Sequence, residues 1–382
     1  MSYRVLFVAS LHHMDVLRRE IAATRAGVLP PLFPTTMELH FWERAMKRRG
    51  YVLDVYWRNL ASSERAKTGR LPNPDEMFQP GRILRDVRQI LIPDSTEIQE
   101  RNKNLISRAR HFNPDILWIE GDNTLILPET IAQIQQNQRC KIFYVNGKSP
   151  LLFANDNEKR AAPLYDMVLV NDYYHGTQWM ELGAKQMNCL PIAAIDPEFH
   201  HPRRLNRQLQ SAYGSDVAFV GTITPKQHYS ERIRALEHLV HMPGIKPGIW
   251  TEDKLPASLQ ERYRGAARGK EMLQVLSATK ISLNIHGNYT RYGGNPRLFE
   301  SAAAGAFQLV DKRPGILTWF KDNEHLVTFN GHRDMMDKIH YYLANPQERE
   351  EIAFAAREHV FHHHTYDHRL SRIEKIVSRM LV

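Results

Sequence analysis

Two hydrophobic patterns alternate along the chain: short apolar runs rich in Val and Ile, and longer segments with apolar residues every three or four positions. The runs are typical of strands buried on both faces, and the longer segments are typical of helices that cover a parallel sheet. In the first half, the pattern predicts strands over residues 4–9, 52–56, 115–119, 141–145 and 167–170, and helices that include residues 36–49 and 99–111.

The pattern breaks over residues 190–216, which contain prolines, paired histidines and no sustained period. It then begins again with the same alternation. Strands are predicted over residues 217–220, 248–250, 280–285 and 307–310, and helices over 230–241, 269–277, 296–304 and 334–380, the last broken near 346 and 362–365.

The repeated alternation predicts an α/β protein with two Rossmann-like domains, each a parallel sheet covered by helices. The break in the pattern predicts the boundary between them. We expect an N-terminal domain over residues 1–195, a linker over 196–215, a C-terminal domain over 216–360, and a terminal helix over 361–382 that is long enough to return to the first domain.

The composition is that of a globular protein: 382 residues, 42% of them hydrophobic, with 51 Lys and Arg against 42 Asp and Glu. Two cysteines are too few for a disulfide framework, and no apolar run approaches the roughly 20 residues that span a bilayer. We therefore expect a cytoplasmic protein, with a peripheral position at a membrane as an alternative. The formal net charge of +9 favours anionic partners, such as nucleotides, nucleic acid, anionic lipid or anionic glycan, without selecting one.

Residues 280–311 predict a strand, a glycine-containing loop and a helix that opens with Asn295 as its cap and Pro296 as its first residue. Backbone N–H groups then point into the loop, and Gly293 and Gly294 allow another group to approach the backbone. Because a helix N-terminus carries partial positive charge, this arrangement suits a phosphate or a diphosphate.

Three charged side chains add to this candidate site. Arg291 and Arg297 would donate hydrogen bonds to phosphate oxygens, and Glu300, one turn into the helix, would accept them from a ribose or sugar hydroxyl pair. The alternative is an ordinary capped helix whose Arg297 and Glu300 form a surface ion pair of little consequence. The combination of glycines, cap, arginines and acid after a predicted strand favours the ligand site.

Residues 286–311, HGNYTRYGGNPRLFESAAAGAFQLVD, resemble the glycosyltransferases related to the spore-maturation protein CgeB, a branch of the two-Rossmann-domain class called GT-B. Residues 216–226, DVAFVGTITPK, resemble the opening strand and loop of the donor domain in that class, and residues 181–202 resemble its interdomain stretch. The resemblance implies the GT-B architecture, in which the parallel sheets of two Rossmann-like domains face a central cleft.

The resemblance also implies that a nucleotide-sugar donor binds to the C-terminal domain. Glu300 matches the acid that contacts the donor ribose, and Lys226 lies where a basic residue commonly meets the diphosphate. Two positions depart from the family pattern. Tyr292 stands where many relatives have a second Glu, and Thr222 replaces an Arg that often follows the glycine of the opening loop.

Trp250 ends a predicted strand at the same edge of the sheet, where its ring would either stack on the nucleobase or belong to the core. The donor is expected to be a UDP-sugar, bound as a substrate with no further cofactor. The predicted donor-binding residues are Gly221, Thr222, Lys226, Trp250, His286, Arg291, Tyr292, Gly293, Gly294, Asn295, Arg297 and Glu300.

A transfer that inverts the anomeric centre needs a base near the acceptor hydroxyl, and candidates follow the predicted strands of the first domain. His12, His13 and Asp15 lie after the first strand, and Glu120 and Asp122 lie after the third. If configuration is retained, these residues would bind the acceptor instead. For each of them, a solvated or structural role is the alternative.

Three familiar motifs are missing. The sequence has no Asp-x-Asp pair, the metal-binding acids of the other large glycosyltransferase class, so no metal is predicted and Lys, Arg and the helix dipole are expected to meet the leaving-group charge. Residues 146–149, NGKS, resemble the end of a P-loop, but Ile142 stands at its first glycine, which excludes an NTPase. No G-x-G-x-x-G follows the first strand, which argues against a dinucleotide oxidoreductase.

The sequence therefore predicts a metal-independent glycosyltransferase, of the hexosyltransferase type, that moves a sugar from a nucleotide-diphosphate sugar to an acceptor bound between its domains. A glycan, a lipid-linked glycan, a protein and a modified nucleic acid all remain open as the acceptor. Two alternatives remain: a non-catalytic GT-B protein that binds a sugar nucleotide or nucleic acid, and a sugar-nucleotide epimerase. No obligatory protein partner is predicted.

Overall fold

The computed structural model describes residues 2–10, 37–59, 95–190 and 194–380, and the chain divides into two compact units. The first unit comprises Met1–Val170, Tyr174–Leu190 and Leu370–Val382. The second comprises Asn171–Tyr173 and Pro191–Arg369. Each unit is built on one parallel sheet, so the predicted α/β class with two parallel sheets is confirmed.

The first unit contains a six-stranded sheet in the order β2-β1-β3-β4-β5-β6, with every neighbouring pair parallel. The strands are β1 (Arg4–Ala9), β2 (Val52–Trp57), β3 (Ile116–Glu120), β4 (Lys141–Val145), β5 (Met167–Leu169) and β6 (Met187–Asn188). The helices are α1 (Met37–Arg48), α2 (Ser95–Phe112), α3 (Pro128–Gln138), α4 (Pro150–Phe153), α5 (Asp156–Ala161) and α6 (Tyr173–Glu181), of which Tyr173 belongs to the second unit.

Aromatic side chains fill much of the core of the first unit. Trp118 of β3 packs against Trp42 of α1, with 5.4 Å between ring centroids, and Tyr144 of β4 stacks on Tyr165 at 4.5 Å. All four side chains are almost completely buried. Successive residues of a strand point to opposite faces of the sheet, and helices cover both faces of a parallel sheet. Both sets of residues are therefore buried, which explains the uninterrupted apolar sequences of the strands.

The second unit contains a five-stranded parallel sheet in the order β11-β10-β9-β7-β8. The strands are β7 (Ser215–Val220), β8 (Pro247–Trp250), β9 (Thr279–Asn284), β10 (Phe307–Asp311) and β11 (Val327–Phe329). The helices are α7 (Arg207–Tyr213), α8 (Ser230–Val240), α9 (Gly269–Ala278), α10 (Arg297–Ala303), α11 (Gly331–Ala344), α12 (Pro346–His363) and α13 (Tyr366–Met380), and α13 belongs to the first unit from Leu370 onward.

The central strand β9 separates two hydrophobic clusters of the second unit. Ile281 and Leu283 belong to a cluster shared with α8 and α11, whereas Trp250 of β8 belongs to a cluster shared with α9. A buried pair of hydroxyls, Ser282 of β9 and Ser301 of α10 at 3.0 Å, holds α10 against the sheet. The first turn of α10 lies at the carboxyl end of β7, where Nε of Arg297 donates to the carbonyl oxygen of Val220.

Three short elements differ from the predicted pattern. Part of the predicted linker forms α7, a helix with no buried residue and hence no apolar period to detect. Strands β6 and β11 have two and three residues, which is too short for a sequence pattern. The predicted cap of α1, Thr36, lies outside the described residues.

Among the helices that the structure describes, none is both long enough and apolar enough to cross a membrane.

Replacement of Leu283 by Ala should lower the free energy of unfolding by about 2–5 kcal/mol, since it removes a fully buried side chain from the middle strand. Urea denaturation followed by fluorescence measures this change. The matched control is Leu317→Ala, whose side chain is 40% exposed and whose loss should change stability by no more than about 0.5 kcal/mol. Equal effects of the two substitutions would contradict the assignment of β9 to the core.

Candidate functional site

The loops that follow β7, β9 and β10 emerge at the carboxyl edge of the second sheet. These three strands are neighbours in the order β10-β9-β7, so their loops lie side by side. Open α/β sheets bind ligands at this edge. The structure therefore brings the loop over residues 221–225 together with the loop over residues 285–296 and the start of α10.

Arg297 and Glu300 form an ion pair in the first turn of α10. Nη1 of Arg297 lies 2.7 Å from Oε2 of Glu300, and its Nε donates to the carbonyl oxygen of Val220, the last residue of β7, at 3.2 Å. Their side chains are 19% and 20% exposed. Oε1 of Glu300 has no hydrogen-bond partner in the described part of the chain, so one carboxylate oxygen is available to a ligand.

Asn295 does not cap α10, contrary to the prediction. Its Nδ2 donates to Oδ1 of Asn284 at 2.7 Å, and Nδ2 of Asn284 donates back to Oδ1 of Asn295 at 3.0 Å. The helix begins at Arg297, after Pro296, and no side chain caps its first turn. Asn295 instead ties the end of the loop to the last residue of β9, the strand from which the loop starts.

His286 is buried, and both of its ring nitrogens bond within the protein. Nδ1 donates to Oδ1 of Asp311, the last residue of β10, at 2.6 Å, and Nε2 accepts the backbone N–H of Asn295 at 3.2 Å. The backbone N–H of His286 donates to the same Asp311 oxygen at 3.0 Å. No ring nitrogen remains for a donor molecule, so His286 holds the loop rather than binding the ligand as predicted.

Asp311 is the anionic end of this chain of hydrogen bonds. Burial by itself would raise the pKa of its carboxyl, but His286 and the Arg313 guanidinium outweigh this effect and hold the pKa below its usual range. Nη2 of Arg313 lies 2.8 Å from Oδ2 of Asp311. Asp311 is therefore ionised at neutral pH, as its role as an acceptor requires.

The backbone amides at the centre of the loop already have an anionic partner. Oδ2 of Asp172 accepts the N–H groups of Arg291, Tyr292 and Gly293 at 2.9, 2.8 and 3.0 Å. Asp172 is only 1% exposed. The amides that were predicted to bind a diphosphate thus bind a carboxylate of the protein itself.

The two loop glycines allow parts of this chain, rather than a ligand, to approach closely. A Cβ atom on Gly293 would lie 1.7 Å from the carbonyl oxygen of Asn171. A Cβ atom on Gly294 would lie 2.3 Å from Cδ1 of Leu298 in α10. Both positions require glycine, as predicted, but the groups that contact them are Asn171 and Leu298 of this chain and not a ligand.

Trp250 is a core residue. Its side chain is 1% exposed and packs in the cluster of Ala218, Met272 and other apolar residues between the sheet and α9. The ring also covers Gly248, where a Cβ atom would lie 2.4 Å from it. The structure therefore favours the core interpretation of Trp250 over stacking on a nucleobase.

Asp253 shapes the loop that follows β7. Its carboxylate accepts the N–H groups of Ile223 and Thr224 at 2.6 and 3.1 Å and the Thr224 hydroxyl at 2.6 Å. Burial acts to raise the pKa of Asp253, but these hydrogen bonds outweigh it and lower the pKa. The N–H of Gly221 is also occupied, since it donates to the carbonyl oxygen of Trp250 at 3.1 Å.

Arg232 of α8 is a buried cation that the sequence did not single out. Its Nε donates to the carbonyl oxygen of Ile285 at 2.7 Å, and Nη1 donates to that of Thr222, so it joins the loops after β7 and β9. No carboxylate in the described residues forms an ion pair with it. Burial lowers its pKa, but an arginine remains charged at neutral pH. In the sequence, Arg232 is indistinguishable from an exposed helical arginine.

Two predicted basic residues are exposed and unpaired. The side chains of Lys226 and Arg291 form no hydrogen bond or ion pair with the described residues of the chain. Tyr292 is half-buried, with its carbonyl oxygen accepting the N–H of Gly315 at 2.7 Å and its ring 5.8 Å from that of Tyr173. Besides the open carboxylate oxygen of Glu300, this edge therefore offers a ligand two exposed cationic side chains.

Two of the predicted acceptor-side residues lie at the carboxyl edge of the first sheet. Oε2 of Glu120 accepts the N–H of Ser10 at 3.0 Å and lies 3.9 Å from Nη2 of Arg58. Asp122 forms an exposed ion pair with Lys148 at 2.8 Å, which supports the solvated interpretation for this residue. The other three candidates, His12, His13 and Asp15, lie outside the described residues.

Within the described ranges, no group of three or more His, Cys, Asp or Glu side chains is arranged to hold a metal ion.

Residues 203–375 match the model of a family described as glycosyl transferase-like. This segment contains all of the second sheet and the candidate site. A comparison with curated proteins by sequence finds no match.

Solved structures of similar fold cover almost the whole chain. Sucrose-phosphate synthase from Thermosynechococcus elongatus covers 99% of each chain at 10% identity with a TM-score of 0.62. HepE from Anabaena, in complex with UDP and glucose, covers 99% of this chain and 100% of its own at 13% identity, also with a TM-score of 0.62. A glycosyltransferase from Rickettsia africae covers 100% and 99% at 10% identity with a TM-score of 0.63. The α/β fold with two parallel sheets is structurally similar to that of the GT-B glycosyltransferases.

Replacement of Asp311 by Asn should lower the free energy of unfolding at pH 7 by about 3 kcal/mol, because it removes a buried charge paired with His286 and Arg313. The folded pKa of Asp311 lies below the unfolded value near 3.8, so its contribution is present above that pH and is lost as the pH falls through the folded pKa. Urea denaturation at pH 7 and at pH 3 measures the difference between the two proteins.

The expected difference between wild type and Asp311→Asn is therefore large at pH 7 and smaller at pH 3. The control is Asp337→Asn on the exposed face of α11, which should have little effect at either pH. A difference that grows on acidification would show that Asp311 is not held ionised in the folded protein.

Proposed function

We propose that this protein is a glycosyltransferase that transfers a hexosyl group from a UDP-sugar to a hydroxyl group of an acceptor. One observation carries the proposal: the Arg297–Glu300 pair stands at the carboxyl end of β7, with one carboxylate oxygen open, inside the segment that matches the glycosyl transferase-like family. The resemblance of residues 286–311 to the CgeB-related enzymes supports the same proposal.

Glu300 is the proposed ribose ligand. Arg297 holds the carboxylate in place through Oε2, and Oε1 is free to accept a hydrogen bond from a ribose hydroxyl. A fixed, ionised acceptor suits a vicinal hydroxyl pair, because hydrogen bonds to charged groups are the stronger ones. Arg297 is in turn held by the carbonyl oxygen of Val220, so the ion pair has a defined orientation toward the sheet.

The exposed cations Lys226 and Arg291 are the proposed diphosphate ligands. A nucleoside diphosphate leaves with additional negative charge, and cations at that position lower the barrier to transfer. The buried guanidinium of Arg232 adds positive potential at the same edge. This role for Lys and Arg is also the basis for proposing a reaction that needs no metal ion.

Uracil is the proposed nucleobase because the HepE structure of similar fold holds UDP and glucose.

In the first unit, Glu120 is a proposed general base or acceptor ligand. Its Oε2 is fixed by the N–H of Ser10, while Oε1 has no partner among the described residues. The candidates His12, His13 and Asp15 stay predictions.

The substitution Glu300→Gln should weaken UDP binding about tenfold, because a neutral amide replaces the charged acceptor of the ribose hydroxyls. Calorimetric titration with UDP and thermal shift in the presence of UDP both measure this loss. The matched control is Glu271→Gln on the exposed face of α9, which should bind UDP as the wild type does. Equal UDP affinity in Glu300→Gln and wild type would remove the proposed ribose site.

Release of UDP from a panel of UDP-sugars, measured with and without acceptor hydroxyls, tests the reaction itself. Binding of UDP without any release from any UDP-sugar would favour a non-catalytic binding protein. Interconversion of the sugar on the nucleotide without an acceptor would favour an epimerase.

Addition of a chelator should leave the rate of UDP release unchanged within about twofold, because side-chain cations are proposed to meet the leaving-group charge. The measurement is the rate in excess EDTA against the rate in added Mg²⁺ or Mn²⁺. Loss of activity in EDTA that a divalent ion restores would contradict the metal-independent mechanism.

A further inference from the structure

The loop over residues 286–296 is held at its ends and in its first half by contacts with its own sheet and with α8. His286 and Asn295 tie its two ends together, as described above. Nδ2 of Asn288 donates to Oγ of Ser230 at 2.8 Å, and Oδ1 of Asn288 accepts the N–H of Glu231 at 3.3 Å. None of these contacts reaches residues 291–293, where the N–H of Gly315 donates to the carbonyl oxygen of Tyr292 at 2.7 Å.

The centre of the loop depends on a segment that is distant in sequence. The Asp172 carboxylate accepts three consecutive N–H groups, of Arg291, Tyr292 and Gly293, through the same oxygen. Asn171 packs directly on Gly293, where no side chain would fit. All of these residues belong to the second unit, and Asp172 is almost completely buried.

Arg291 has a fixed backbone and an uncommitted side chain. Its N–H is held by Asp172, whereas its guanidinium is exposed and pairs with no described residue. A flexible cation loses conformational entropy when it binds a ligand, and a fixed backbone reduces that loss. The position of the Arg291 Cα atom is thus set by a carboxylate that lies 119 residues earlier in the chain.

We propose that Asp172 is a positioning residue for the donor: it holds the loop so that Arg291 meets the diphosphate. This inference rests on the proposed function. Asp172 does not contact the donor, since its Oδ2 is directed to the loop amides and its side chain is buried. It acts through the backbone of Arg291.

The sign of the effect separates positioning from simple electrostatics. Removal of a negative charge close to an anion site would by itself tighten the binding of UDP. The neutral amide oxygen of Asn accepts the three loop N–H groups less strongly than the carboxylate does, which loosens the loop at Arg291 and weakens the binding of UDP. The positioning role therefore predicts weaker binding in Asp172→Asn, against the direction that its charge alone would give.

The experiment is a double-mutant cycle on UDP affinity, measured by calorimetry on the full chain. Asp172→Asn and Arg291→Ala should each weaken binding about tenfold, and the double variant should be no weaker than Arg291→Ala alone. A general structural defect would instead add its effect to that of Arg291→Ala. Additive effects, or unchanged or tighter binding in Asp172→Asn, would overturn the inference.

The matched control is Asp216→Asn, which removes a carboxylate that also accepts a backbone N–H, from Lys246 at 2.8 Å, but at the amino end of β7. It should leave UDP affinity unchanged. A second variant, Gly293→Ala, should reproduce the effect of Asp172→Asn, because its Cβ atom would displace Asn171 while the Asp172 side chain is kept. Wild-type affinity in Gly293→Ala would also overturn the inference.

Amide hydrogen exchange without ligand gives a readout that is independent of the donor. In Asp172→Asn, the amides of residues 291–293 should exchange at least about tenfold faster than in wild type, with the amides of β9 unchanged. If wild-type protein binds no UDP, the proposed function fails and the donor role of Asp172 fails with it. If wild type binds UDP and Asp172→Asn binds it equally well, only the role of Asp172 fails.

Discussion

The candidate site depends on a buried chain of hydrogen bonds that runs from Asp311 through His286 to the backbone of Asn295. It joins the end of β10 to both ends of the loop that follows β9. A buried carboxylate without a partner would be costly, and the His286 ring, which donates through Nδ1 and accepts through Nε2, supplies one. With the loop closed in this way, α10 starts at a fixed point and the Arg297–Glu300 pair faces the end of β7.

The loops at this edge follow one principle: buried or half-buried carboxylates of the protein accept the backbone N–H groups of the loops. Asp311 accepts the N–H of His286, Asp253 accepts an N–H of the loop after β7, and Asp172 accepts an N–H at the centre of the loop after β9. These three carboxylates thus bond within the protein, whereas Lys226, Arg232 and Arg291 form no ion pair with the described residues. The positive character that suits an anionic donor thus arises from these side chains.

The strands, the loop and the Arg297–Glu300 pair could be predicted because each depends on residues close together in sequence. Apolar runs mark the strands, and a spacing of three residues places an arginine and an acid on one helical face. For Trp250 the sequence left both stacking on a nucleobase and a core position open, and for His286 it predicted donor binding alone. A large aromatic or a histidine at the end of a strand fits a ligand site as well as it fits the core, and only the packing of Trp250 against α9 and the pairing of His286 with Asp311 decide the matter.

The sequence by itself determined the α/β class, most strand positions, and the segment that carries the candidate site, because hydrophobic periodicity and glycine placement are local properties. Tertiary structure decided which groups meet in that segment. Asp172 reaches the amides of residues 291–293, and Arg232 joins the loops after β7 and β9. Such contacts join residues up to 121 positions apart, and their partners are backbone groups that every residue possesses, so no side-chain pattern in the sequence reveals them.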